Sequence, residues 1–102
     1  MLLFHVEDQT HHRVRSFTDD SANSFLGVAR RCAANGSRVM DVIDPYTDTM
    51  LNFIQLDRLI SELGALLTSG ELIGPERDLV AEVLVAAKEA RGLSGYLFIT
   101  GD

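Results

Sequence analysis

The sequence predicts an α+β domain: a small, mostly antiparallel sheet of four or five strands with three helices packed on one face, in the order β-β-α-β-(β)-α-α-β. Three observations carry that prediction. The chain opens with period-2 alternation at residues 2–6 and 12–17, continues through apolar stripes at helical spacing, and closes on a β-rich segment at residues 95–100. At 102 residues it is one domain, 1–102, with a single core. A chain of that size buries about 60–70% of its unfolded surface, enough to dispense with disulfide or metal staples. Its 46% hydrophobic and 24% charged residues match a globular domain and not a disordered one.

The first strand places Leu2, Phe4 and Val6 on one face and Leu3 and His5 on the other. Glu7 to His11 is polar and forms a turn. His12 to Phe17 then alternates again, with Arg13 and Arg15 opposite Val14, which predicts a β-hairpin whose arginines discourage edge pairing. Thr18, Asp19, Asp20 and Ser21 are N-cap candidates for the amphipathic helix that follows. Its stripe is Ala22, Phe25, Leu26, Ala29, Cys32 and Ala33, and Asn35-Gly36 ends it. On that stripe Cys32 reads as a small buried hydrophobe, not a reactive thiol.

Residues 37–43 (SRVMDVI) are apolar on both faces and predict an inner strand interrupted by Asp41. Asp44-Pro45-Tyr46-Thr47 has turn chemistry, with Asp first and Pro second where its preset φ is wanted. Residues 48–51 return as a short strand. Asn52 and Gln55 make a capping-box pattern that opens a helix with the stripe Leu56, Leu59, Ile60, Leu63, Leu66 and Leu67. Gly64 inside it marks close packing. Thr68-Ser69-Gly70 ends that helix. Gly74-Pro75-Glu76 begins the next, with Pro at the first helical position and the buried side supplied by Leu79, Val80, Val83, Leu84, Ala86, Ala87 and Ala90. Residues 95–100 (GYLFIT), apolar on both faces, predict a central strand.

Fifteen acids against nine bases give a formal charge of −6, an imbalance that repels phosphate backbones and argues against a nucleic-acid partner. The same surface suits a basic protein partner or simple solubility. No apolar run approaches the roughly 18 residues of a membrane span, and no signal-peptide pattern opens the chain, so a cytoplasmic protein with no membrane association is expected. One cysteine precludes an internal disulfide.

Candidate chemistry is sparse. His11 and His12 are adjacent and would face opposite ways on a strand, and no zinc spacing includes them or His5, so neither metal nor cofactor is expected. Asp41, Asp44 and Asp48 cluster about Tyr46 but lack the glycine and terminal glutamate of a calcium loop. Asp41, a carboxylate on an inner strand, must be paired or line a cleft. Arg38 or Arg58 would be its structural partner; a ligand contact, or catalysis with a histidine, are the alternatives. The nucleophile elbow, the phosphate loop and the dinucleotide fingerprint are absent, so no enzymatic activity is expected. Arg13, Arg15, Arg30, Arg31 and Arg38 have no aromatic run among them and read as exposed surface bases.

The stretch Asp44-Pro45-Tyr46-Thr47-Asp48-Thr49-Met50-Leu51-Asn52, followed by Gln55, resembles small uncharacterised bacterial proteins, often actinobacterial, with a D-P-Y-x-D-T-x-x-N-x-x-Q pattern before a Leu-rich helix. Their chains tend to finish in an apolar strand ending Gly-Asp, as Gly101-Asp102 does here. The likeness covers about a quarter of the chain, and in size and charge the chain is similar to immunity proteins, which bind and block a toxin. A binding protein for a basic partner is therefore the leading expectation, with Asp44, Tyr46, Asp48 and Gln55 as contact residues. A homodimer or other assembly subunit, joined through apolar residues such as Leu72, Ile73 and Leu93, is the alternative.

Overall fold

The structure, a computed structural model, describes residues 1–101; Asp102, the last residue of the Gly-Asp ending, lies outside them. The N-terminal alternation becomes β1 (Leu3–Glu7) and β2 (Arg13–Thr18), a hairpin as expected. Next come α1 (Ser24–Ala34), α2 (Arg38–Asp41), β3 (Thr49–Leu51), α3 (Phe53–Ser69), α4 (Gly74–Gly92) and β4 (Tyr96–Thr100). The four strands form one antiparallel sheet in the order β2-β1-β4-β3, so the first and last strands of the chain are its centre.

The α+β class and the antiparallel sheet stand as the sequence predicts them. One element differs. Residues 37–43 do not form an inner strand, and Arg38–Asp41 is a single helical turn, which brings the helices to four among the described residues. The Ser37 side chain accepts a hydrogen bond from Met40 N at 3.1 Å and caps the turn. Val39, Met40 and Ile43 are buried, a spacing that suits a helical turn as well as a strand. The turn lies against α1 and α3 and does not reach the sheet.

Phe4, Val6, Leu51, Leu97 and Ile99 point to one face of the sheet and are fully buried beneath the helices. Helix α4 packs on β1 and β4 with Ala86, Ala87 and Ala90 buried, small side chains that let helix and sheet approach. Phe4 stacks on Phe17 and meets Phe25 of α1 edge-on, tying the hairpin to the first helix. Strand β4 is flanked by glycines for a steric reason. A side chain at Gly95 would collide with the Glu7 carbonyl, and one at Gly101 with the Pro45 carbonyl.

A β-bulge between Val6 and Glu7 corrects the expected placement of the hairpin arginines. Arg15 pairs with Val6 on the helical side, reaching Glu89 of α4 (2.9 Å) and lying over Phe17, whereas Arg13 pairs with Glu7 on the other side.

The start of α1 is capped from a distance. Asn23, at the N-cap, has a left-handed backbone and makes no side-chain cap. Asp19, 2% exposed, instead accepts from the amides of Asp20, Phe25 and Leu26 at 2.9–3.1 Å, while its own amide donates to Leu2 O. Asp20 accepts from the Ser24 amide and hydroxyl, which hold its carboxyl below the usual range. Ala22 lies outside the helix and is exposed. The expected capping box of α3 is present: Asn52 Oδ1 accepts from Ile54 and Gln55 amides at 3.1 Å, and Gln55 Oε1 accepts from the Asn52 amide at 3.0 Å.

Two stability predictions follow from these contacts. Asp19→Ala strands three amide donors, two of them on buried residues, and should cost about 2–3 kcal/mol by urea unfolding. Gly64 has open space where its Cβ would stand, so it does not mark close packing. Gly64→Ala should therefore stabilise the protein by about 0.5–1 kcal/mol in the same assay.

Candidate functional site

The link from α2 to α3 is held by local hydrogen bonds and the cap of α3. Asp44 Oδ1 accepts from Tyr46 N at 2.8 Å, an Asx turn that leaves the Tyr46 ring 85% exposed. Thr49 Oγ1 donates to Val42 O at 3.0 Å and closes the loop. Strand β3 then runs along the edge of the sheet, Leu51 inward and Met50 outward, and the capping box fixes the first turn of α3 with Phe53 and Ile54 in solvent. Arg91 lies over the Phe53 ring at 5.6 Å and donates to Asp57 Oδ1 at 2.9 Å, which holds that ring in place.

Of the ten exposed large apolar side chains among the described residues, five (Val42, Tyr46, Met50, Phe53 and Ile54) fall within residues 42–54. A concentration of this kind marks contact surface, whereas single exposed apolar residues are ordinary. Asp41, Asp44, Asp48 and Asp57 stand around it. Three of the expected contact residues, Asp44, Tyr46 and Asp48, belong to this loop. Gln55 is half-buried and its carbonyl oxygen is engaged in the capping box.

Sequence reasoning missed Val42, Met50, Phe53 and Ile54. A signal was present at Ile54, which lies two residues, roughly 200° of helical turn, from the buried Leu56 and so on the polar side of its helix.

Asp41 is the correction here. Because residues 38–41 are a helical turn and not a strand, its side chain is exposed, and it joins no ion pair with Arg38 or Arg58 among the described residues. Nor is it brought to a histidine: α2 touches α1 and α3, while His5 and His11 lie on the far face of the sheet. Cys32 is half-buried at the end of α1, less enclosed than its stripe suggests.

That far face carries no helix. His5 Nδ1 and Ser16 Oγ are hydrogen-bonded across β1 and β2 at 2.8 Å. Glu7, 6% exposed, accepts from His11 Nδ1 at 3.0 Å and Arg13 Nε at 3.4 Å, and His11 stacks on Tyr96. Arg13 also lies 5.9 Å over Phe98. These groups pair with one another, and among the described residues no three His, Cys, Asp or Glu side chains converge on a metal position. Among the described residues no helix is long and apolar enough to cross a membrane.

Comparison with protein-family models, curated proteins and solved structures gives no match to this chain. Its functional reading therefore rests on its own surface.

Burial, with the Arg13 charge second and Glu7 opposing, lowers the pKa of His5 from 6.5. A folded-state pKa below the unfolded one means that the unfolded chain binds the proton more readily. The His5 contribution is then fully present above about pH 6.5 and is lost as pH falls below it. Urea midpoints measured from about pH 5 to about pH 7 should rise more steeply in the wild type than in His5→Gln.

Proposed function

We propose that this chain is a non-enzymatic, immunity-type inhibitor that docks a basic protein partner through the surface of residues 41–57. The observation that carries this is that Val42, Tyr46, Phe53 and Ile54 stand in solvent within one capped and hydrogen-bonded joint, while Met50 of the same joint points to the helix-free face beside Phe98. Interfaces place apolar and aromatic anchors at the centre and polar groups at the rim, and Tyr is a favoured anchor. Tyr46 stands almost free, while Phe53 is held ready by Arg91. An anchor already ordered in the free protein loses little entropy on binding.

Asp41, Asp44 and Asp48, which join no ion pair among the described residues, with a net charge of −6 behind them, favour a basic partner and speed its approach. The likeness to immunity proteins in size and charge agrees with this role. The free Cys32 thiol suits a reducing compartment, in keeping with action in the cytoplasm.

The test replaces Asp44, Tyr46 and Asp48 together (D44N/Y46S/D48N) and compares stoichiometric partners captured from native lysate at low and high salt. The wild type should hold one basic protein that is released at high salt, and the variant should lose at least about tenfold in affinity with an unchanged circular dichroism spectrum. Equal capture by both proteins would reject this surface. A wild type that retains no protein but sediments as a dimer would favour the assembly-subunit alternative.

A further inference from the structure

Between α2 and α3 lies a concave space of about 220 Å³, lined by Arg38, Val39, Ile54, Gln55 and Arg58. Each of the two elements brings one guanidinium side chain to it, and no aspartate or glutamate lines it.

That placement is out of keeping with the other arginines. Arg13, Arg15, Arg31 and Arg91 each meet a carboxylate, and Arg77 donates to the Leu67 carbonyl. Arg30 stands alone on α1 in solvent. Arg38 and Arg58 join no ion pair among the described residues, although the chain holds fifteen acids. The carboxylates nearest in sequence do not supply one: Asp57 binds Arg91, Glu62 lines a different cleft, and Asp41 lines neither. Two like charges that share one concavity repel each other, and an anion between them removes that repulsion while accepting hydrogen bonds from both.

Gln55 adds a donor of another kind. Its Oε1 accepts from the Asn52 amide at 3.0 Å, which fixes the side-chain amide and leaves Nε2 without an acceptor among the described residues. The start of α3 contributes nothing further, because its Ile54 and Gln55 amides are already bound to Asn52 Oδ1. Val39 and Ile54 give the same space an apolar wall. Donors and aliphatic carbon side by side match a carboxylate on an aliphatic stem, whose planar oxygens suit guanidinium forks. A phosphate ion, polar on every side, would leave Val39 and Ile54 without a contact.

We infer that the cleft between α2 and α3 binds a carboxylate on a short aliphatic stem, its oxygens between Arg38 and Arg58 and its stem against Val39 and Ile54. A glutamate side chain of a docked protein and a free organic acid offer this same chemistry. The site goes beyond the proposed contact surface, with which it shares only Ile54, and does not depend on it.

The test needs no partner. The ¹⁵N-labelled protein is titrated with N-acetyl-glutamate methylamide, its uncharged counterpart N-acetyl-glutamine methylamide, butyrate and inorganic phosphate. Each is taken to about 20 mM at matched ionic strength, since ligands this small bind weakly and charge effects are screened by salt. Both carboxylates should give saturable shifts at the Val39, Gln55 and Arg58 amides and at the Nε–H signals of Arg38 and Arg58. The glutamine probe should bind at least about tenfold more weakly than the glutamate probe. The carboxylate shifts should vanish in R38Q/R58Q, whose spectrum elsewhere should be unchanged because both side chains are exposed. Tighter binding of the glutamate probe than of butyrate assigns the cleft to a carboxylate carried by a polypeptide; equal or tighter binding of butyrate assigns it to a free acid. Either result supports the inference. Equal shifts from the glutamine probe, shifts that persist in R38Q/R58Q, tighter binding of phosphate than of both carboxylates, or no shift at the cleft would each overturn it. D44N/Y46S/D48N changes no residue of this cleft, so failure here leaves the proposed function standing, and failure of that function leaves the carboxylate site standing.

Discussion

The pairing of the first strand with the last holds this molecule together. Phe4 lies opposite Ile99 and Val6 opposite Leu97, and all four side chains are completely buried. Strand β4 has to enter between β1 and β3 after the whole chain has been laid out, so the sheet closes only through a contact of very long sequence separation. Until it does, β3 has no partner strand, and α3 and α4 each lack one of the two strands they touch. The glycines on either side of β4 show how closely the neighbouring backbones approach it.

The same strand reaches the proposed contact surface. Met50 and Leu51 are held by Phe98 and Leu97, and Gly101 lies against the Pro45 carbonyl beside Tyr46. The joint of residues 42–52 is therefore pinned at both ends, by β4 on one side and by the Asn52 capping box on the other. A short, doubly pinned joint is a place where apolar side chains can stand in water without collapsing onto the core. That is the physical basis for proposing Val42, Tyr46, Phe53 and Ile54 as a contact surface. The far face of the sheet is different in kind, because its charged and aromatic groups are already matched by Glu7, Ser16 and Tyr96.

What was legible in the sequence was what is local. Asn52 and Gln55 cap α3 as their spacing requires, the stripe at Leu56, Leu59 and Leu63 is buried, and Leu2 with Phe4 and Val6 of β1 lies inside. Residues 37–43 were ambiguous because buried Val39, Met40 and Ile43 satisfy a helical turn and an inner strand alike, and the cap from Ser37 decides between them. The role of Asp19 was hidden for a different reason. Its carboxylate serves amides six and seven residues downstream, beyond any standard cap. The separation of Arg13 from Arg15 depends on a bulge that leaves no mark in the alternation. Of the candidate site, Tyr46 and its aspartates could be read from turn chemistry. The apolar residues around them could not, because their exposure is decided by where β4 and the helices lie.

Native-state hydrogen exchange tests the central claim, that the pairing of the first strand with the last carries both the core and the joint of residues 42–52. The amides of β1 and β4 should exchange only through global unfolding, with the denaturant dependence of the whole molecule, and those of the edge strand β3 should open no later than β4. If β4 exchanges through a partial opening while β1, α3 and α4 stay protected, the sheet does not depend on its last strand and this account of the fold is wrong.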